Sequence, residues 1–236
     1  MSTNSEKPVI AIVQGAWHRA THYQGLVQSL TNKGFTVLQP DNFTAGKDEN
    51  IKGKTHLDDV EAIRQSLQPA LDEGKRIVLV CHSYGGNPGS AAVQGYQVHE
   101  REANGLAGLS LLSAAGGTHG PFLGRTDDIC YLNDKAQNAF YNDCTPEVAK
   151  KAISECVNHS TASLETAAHF VATDITVPKT YVVCEIDNTV PVQGQLAIVG
   201  AMGDTVNVKK LEAGHCPFLN EDTLPKVVEI IENAAQ

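Results

Sequence analysis

Nowhere does the chain hold a run approaching the roughly 20 apolar residues that a bilayer-crossing helix needs, so no membrane partner is expected. Positive charge is scarce: 18 lysines and arginines face 27 aspartates and glutamates, a formal charge of −9. That leaves no basic footprint for nucleic acid, and acidity of this size mostly serves solubility. No C-x-x-C pair occurs among Cys81, Cys130, Cys144, Cys156, Cys184 and Cys216, which fit free thiols in a reducing compartment. The polar opening Met1-Ser2-Thr3-Asn4-Ser5-Glu6-Lys7-Pro8 lacks the apolar core of a secretory signal, and a cytoplasmic protein is expected. Asn42-Phe43-Thr44 and Asn158-His159-Ser160 match the glycosylation pattern, but without such a signal both read as chance. Internal repeats, linkers and low-complexity segments are also missing.

What is present suits one soluble domain: 236 residues, 42% hydrophobic and 19% charged, enough to build a sizeable core with room for an inserted subdomain. Apolar runs alternate with helix-like segments, the mark of a mostly parallel sheet with crossover helices. Val9 to Val13 reads as the first strand, His22 to Lys33 as a helix ended by Gly34, and Phe35 to Leu38 as the second strand. From Leu57 to Leu71 the residues Val60, Ile63, Leu67 and Leu71 recur at helical spacing. Strands Ile77 to Val80 and Leu106 to Leu112 follow. The rhythm then breaks. Between Ala115 and Thr176 there is no clear strand, and helical stretches such as Pro146 to Val157 and Ser163 to Ala172 predict an inserted helical cap. Alternation resumes with strand Lys179 to Cys184, a helix around Pro191 to Met202, strand Val206 to Leu211 and a final helix from Asp222 to Ala235. The expected class is α/β, with core segments 1–114 and 177–236 and a cap over 115–176.

Chemistry concentrates at Cys81-His82-Ser83-Tyr84-Gly85-Gly86, between an apolar strand and a helix start at Asn87-Pro88-Gly89. Strand, small-residue turn and helix make the sequence form of a nucleophile elbow, which holds its serine in a strained backbone. Glycine is wanted two residues to either side. Gly85 supplies the second, while Cys81 stands in the first place, where its plain reading is a packed core residue. The His82 side chain should point away from the nucleophile.

A serine hydroxyl needs a base to take its proton and a third group to orient that base. Of nine histidines, His215 in Glu212-Ala213-Gly214-His215-Cys216-Pro217-Phe218 lies just past the last predicted strand. That is the sheet edge where the elbow sits and where sites in open α/β sheets gather. Glu185, Asp187 and Asp204 compete for the acid. Asp187 sits in the loop at its strand's carboxyl end, Glu185 is nearer the strand, and Asp204 falls after the next helix. The alternative place, after the strand ending near Leu112, offers only Ser113-Ala114-Ala115-Gly116-Gly117, which favours Asp187. Its plainer reading is a turn-forming Asp-Asn. His18 and His22 lie close in sequence, but no acidic or cysteine partner adjoins them, so no metal site is expected. His18 is read instead as lining the pocket mouth beside Trp17. Gly85-Gly86 is not a phosphate loop, since no Gly-Lys-Ser/Thr follows.

The order Ser83, Asp187, His215 is that of the α/β-hydrolases. In such folds the segment after the first strand, here Gln14-Gly15-Ala16-Trp17-His18, carries half of the oxyanion hole, so the backbone N–H groups of Ala16 and Tyr84 become its candidate donors. With these segments placed, the chain resembles the methylesterase and hydroxynitrile-lyase-like group of small α/β-hydrolases. The resemblance runs over nearly the whole chain, through Gly15-Ala16-Trp17-His18, Gly85-Gly86, Phe140-Tyr141-Asn142-Asp143 and Ala213-Gly214-His215 with Pro217-Phe218. It implies a Ser-Asp-His triad, hydrolysis of a small ester and no cofactor. Gln14, where the group usually has histidine, and Cys81 are departures.

The first reading is therefore a cofactor-independent serine hydrolase of the carboxylesterase type, acting on a small, largely apolar ester or lactone. Trp17, His18, Phe140 and Tyr141 are the expected substrate contacts, with Phe122, Tyr131, Phe140 and Tyr141 roofing the pocket. A second reading keeps the same residues for lyase or other non-hydrolytic chemistry such as decarboxylation, dehydration or a retro-Claisen step. Cyanohydrin cleavage is disfavoured, because Cys216 stands where hydroxynitrile lyases of this group have a lysine. A third is a ligand-binding receptor on the hydrolase fold. The expected partner is a small molecule, and self-association as a homodimer is left open.

Overall fold

The computed structural model describes residues 7–98, 100, 109–115 and 121–236, the stretch 109–115 by its backbone alone. Residues 1–6 of the polar opening, 106–108 of the strand expected at Leu106 and the pair Gly116-Gly117 lie outside the described residues.

Six strands form one parallel sheet: β1 (Val9–Val13), β2 (Val37–Leu38), β4 (Ile77–Ser83), β5 (Leu109–Ala115), β9 (Lys179–Cys184) and β10 (Val206–Leu211). Their order is β10-β9-β5-β4-β1-β2, each neighbour parallel. Burial on both faces explains why β1 and β4 are continuous apolar runs and not alternating ones. On one face Ile10, Ile12, Val78 and Val182 pack beneath α1 (Gln24–Asn32) and α9 (Leu224–Ala234). On the other, Val9, Ala11, Val13, Ile77, Leu79 and Cys81 meet α3 (His56–Asp72) and α4 (Gly86–Val93). Helix α3 begins at a capping box: Thr55 accepts from Leu57 N–H while Asp58 accepts from Thr55 N–H at 2.8 Å. The edge strand β10 exposes Lys209 and Lys210, charges that discourage a further strand from pairing there.

The cap departs from expectation. Its helices are α5 (Ala136–Phe140), α6 (Pro146–Glu155) and α7 (Thr161–Glu165), but it also holds strands β6 (Leu123–Arg125), β7 (Ile129–Leu132) and β8 (Asn158–Ser160). These join β3 (Ala45–Gly46) in a second, antiparallel sheet of order β3-β8-β7-β6. The expectation of no strand in 115–176 is thus corrected. Three- and four-residue strands are too short for a two-residue alternation to stand out, and β8 finds one of its two partners more than a hundred residues upstream, in β3. Among the described residues no helix is long and apolar enough to cross a membrane.

Candidate active site

Ser83 ends β4 with φ +52°, the left-handed region that residues with a Cβ rarely occupy. The following turn closes by Gly85 N–H donating to the His82 carbonyl at 2.9 Å. Gly85 is obligatory for a local reason: a Cβ there would stand 2.6 Å from the carbonyl oxygens of both Val13 and Gln14. The elbow is therefore pressed against the end of β1. Strain of this kind collects at functional sites.

From this turn the Ser83 hydroxyl meets His215 Nε2 at 3.0 Å, and His215 Nδ1 meets Asp187 Oδ2 at 2.9 Å. The imidazole and carboxylate are almost wholly shielded, their side chains 4% and 5% exposed. The other carboxylate oxygen of Asp187 accepts from Thr189 N–H at 2.6 Å and Val190 N–H at 2.9 Å, which aims Oδ2 at the imidazole. Glu185 and Asp204 are exposed and take no part in this line.

The loop after β1 lies beside the serine. Trp17 has φ +63°, the second non-glycine residue in the left-handed region. Its indole is fixed by donating Nε1–H to the Cys130 carbonyl at 3.0 Å and by stacking on Phe140 at 5.9 Å. Phe140 in turn stacks on the His215 ring at 5.5 Å and packs edge-on against Phe122. Gln14 turns away and donates to the Pro40 carbonyl at 3.1 Å.

His18 was expected at the pocket mouth; it is instead buried, 1% exposed. The turn at Trp17 folds it under the loop, where Nδ1–H donates to the Ala16 carbonyl at 2.8 Å and Nε2 accepts from the Tyr141 hydroxyl at 3.0 Å. Tyr141 is likewise buried and meets Cys156 Sγ at 3.3 Å. Burial, together with the neighbouring His82 and His22, holds the His18 imidazole well below its ordinary value, so it is neutral.

Tyr84, the residue after Ser83, is anchored through its side chain. Its buried hydroxyl donates to Asp59 Oδ2 at 2.6 Å, and Asp59 Oδ1 accepts from Thr44 N–H at 3.2 Å. Burial pushes the Asp59 carboxyl upward despite these donors. His159 packs edge-on against the Tyr84 ring at 4.6 Å and is held neutral by burial, down to about 3.

Sequence reasoning missed Asn142 and Asp143 as parts of the site, although their stretch was noted. Asn142 donates to the Ile186 carbonyl at 2.8 Å, next to Asp187, and Asp143 Oδ2 accepts from Gly214 N–H at 2.8 Å, next to His215. Thr189 adds a bond to the Ala139 carbonyl at 2.8 Å. The base of the cap is thereby tied to both loops that carry the acid and the imidazole. No spacing rule announces such cross-loop bonds.

One cluster among the described residues has donor atoms near enough together for a cation: His18, His22 and Cys156, within 4.8 Å of one another. The sequence offered no cysteine beside the two histidines; the fold brings Cys156 in from the end of α6. The donors do not fit an ion as they stand. His22 Nε2 donates its proton to the Ala152 carbonyl at 2.9 Å, and the Tyr141 hydroxyl bridges His18 Nε2 and Cys156 Sγ. Burial also raises the Cys156 thiol to about 11, which keeps it protonated.

A parallel sheet that delivers serine, imidazole and carboxylate to one edge is the architecture of the α/β-hydrolase class. By sequence the chain belongs to that family, the alpha/beta hydrolase family, which it matches over residues 10–228. It is 30% identical, over 97% of each chain, to the alpha/beta hydrolase nvfD of Aspergillus novofumigatus. Polyneuridine aldehyde esterase superposes with a TM-score of 0.77 at 17% identity, over 98% of this chain and 100% of that one. A pyrethroid hydrolase from Sphingobium faniae does so with 0.72 at 19% identity, over 97% of each.

Proposed function

We propose that the protein is a serine hydrolase that cleaves a small, largely apolar ester or lactone with its own side chains and without a cofactor. The observation that carries the reading is the continuous line Ser83 Oγ to His215 Nε2 at 3.0 Å and His215 Nδ1 to Asp187 Oδ2 at 2.9 Å, starting from a serine at φ +52°. His215 takes the hydroxyl proton as Ser83 Oγ attacks the carbonyl carbon. Asp187 stabilises the imidazolium that forms. The oxyanion is received by the N–H groups of Ala16 and Tyr84, each donor of this kind contributing about 3 kcal/mol to the barrier reduction. Collapse expels the alcohol, which takes the proton back from His215, and water repeats the sequence on the acyl group.

The aromatic wall of Trp17, Phe122 and Phe140 beside His215 supports an apolar substrate. Hydrolysis is supported over chemistry needing a cation beside the base, because Cys216 is a buried thiol that desolvation keeps neutral. The six free cysteines support a reducing, cytoplasmic setting, with a small molecule as partner. Fluorophosphonate labelling and a panel of p-nitrophenyl esters test the reading. Ser83→Ala should abolish labelling and lower kcat by about 10⁴-fold or more while the fold stays intact. Undiminished labelling of that variant would remove Ser83 from the reaction.

A further inference from the structure

Two buried residues outside the Ser83–His215–Asp187 line, Tyr23 and His82, connect three of the site's loops through hydrogen bonds whose protons can all be assigned. Gly15 N–H donates to the Tyr23 hydroxyl oxygen at 2.9 Å. That leaves the hydroxyl's own hydrogen for His82 Nδ1, 2.8 Å away. His82 Nδ1 is therefore an acceptor, and its ring proton sits on Nε2, which donates to the His215 carbonyl at 3.0 Å. Tyr23 is 1% exposed and His82 6%. Burial and the nearby His215 keep the His82 ring neutral, in agreement with a single ring proton.

The chain of bonds reaches the groups that matter for oxyanion chemistry. Gly15 packs against both His82 and Ser83: a Cβ at residue 15 would stand 2.7 Å from His82 Nδ1 and 3.3 Å from Ser83 Cβ. The peptide joining Gly15 to Ala16 carries the Ala16 N–H, and its carbonyl oxygen accepts from His18 N–H at 3.2 Å. In a trans peptide the N–H points opposite to that oxygen. The peptide before it is held by Tyr23, and the peptide after it by His18 Nδ1 on the Ala16 carbonyl. The direction of the Ala16 N–H is thus fixed from both sides.

We propose that Tyr23 and His82 are positioning residues, which lock the Gly15–Ala16 oxyanion peptide and the His215 backbone into one arrangement beside Ser83. The proposal rests on the serine-hydrolase reading above. Misplacement of a catalytic group by about 1 Å costs on the order of a hundredfold in rate, so relaxing this chain should act on kcat. Both side chains are buried, and the role assigned to them is positioning and not substrate contact.

The test compares Tyr23→Phe, His82→Gln and His82→Leu with the unmodified protein on p-nitrophenyl butyrate. It reads kcat, KM, the second-order rate of fluorophosphonate labelling and Tm. Tyr23→Phe removes one oxygen and should lower kcat and labelling about tenfold, with KM within about twofold. A glutamine amide reproduces the acceptor–donor pair of the neutral imidazole, so His82→Gln should keep activity within about threefold while His82→Leu loses more than about tenfold. Unchanged kcat and labelling in Tyr23→Phe, or equal losses in His82→Gln and His82→Leu, would overturn the proposal. Should a variant fail to fold, ¹⁵N NMR of the unmodified protein decides: His82 protonated on Nε2 supports the chain, and protonation on Nδ1 breaks it. The Ser83→Ala result separates the two levels, because labelling that survives there defeats the underlying reading, whatever Tyr23 does.

Discussion

Cys81 and Gly89 share one space across the elbow: a Cβ at residue 89 would collide with the Cys81 sulfur. Cys81 stands where the elbow pattern has a glycine, and α4 accommodates it by having no side chain at the facing position. The thiol is buried in the same apolar cluster as Leu79 and Val93 and serves as core packing. Overpacking a core typically costs about 1–3 kcal/mol. Gly89→Ala should therefore destabilise the protein by that amount in urea unfolding. Cys81→Ala combined with Gly89→Ala should recover most of it. A double variant no more stable than Gly89→Ala alone would refute the shared-space explanation.

The grouping of Ser83, Asp187 and His215 was legible because each sits at or just past the carboxyl end of a strand in the parallel sheet, which gathers such ends at one edge. Strands β9 and β10 are found at the predicted residues, since six-residue apolar or alternating runs carry their own signal. The cap's short strands carry none. His18 was misplaced because a positive φ at Trp17 has no sequence signature, and it is that turn which sends the imidazole inward. Tyr23 and His82 were out of reach for a related reason. Their bonds join residues 59 and 133 positions apart, so nothing local marks them.

On the proposed reading the acid is Asp187, whose Oδ2 lies 2.9 Å from His215 Nδ1, and the kinetics should follow. Asp187→Asn can keep the one oxygen that accepts from Thr189 and Val190 N–H but deprives His215 Nδ1 of its carboxylate. A comparable change in a serine triad lowers kcat by about 10⁴-fold. Glu185→Gln, at an exposed position, should leave kcat within about twofold. Measured side by side on one ester, a steep loss in the glutamate variant and none in the aspartate variant would reverse the assignment.

Asp143 links the cap to the imidazole loop through Gly214 N–H, and Gly214 has no room for a side chain against Asn142 and Asp143. Asp143→Ala leaves that N–H without its acceptor, a loss of about 1–3 kcal/mol. The same change loosens the residue before His215, so kcat should fall about tenfold, with a smaller loss in Asp143→Asn, which keeps an acceptor oxygen. Thermal unfolding and kcat on the two variants check both parts. Equal kcat in the alanine variant and the unmodified protein would make Asp143 a structural clamp only.

Buried neutral histidines give stability a definite pH dependence. His18 and His82 are held well below the ordinary value by burial and by neighbouring histidines, and His159 by burial alone, down to about 3. The unfolded chain takes up a proton on each near pH 6.5, which the folded protein refuses until far lower. Stability from these groups is therefore complete above about pH 6.5 and is lost as pH falls, at about 1.4 kcal/mol per pH unit for each histidine. For His159 the window runs from about 6.5 down to about 3. Its Nε2 meets the Ser163 hydroxyl at 2.9 Å, a contact that a glutamine amide can reproduce. His159→Gln should then flatten the slope of unfolding free energy against pH by one histidine's share between pH 6 and pH 4, about 1.4 kcal/mol per unit. Urea titrations at a series of pH values measure that slope. Parallel slopes for the variant and the unmodified protein would mean that His159 is protonated in the folded state, contrary to its burial.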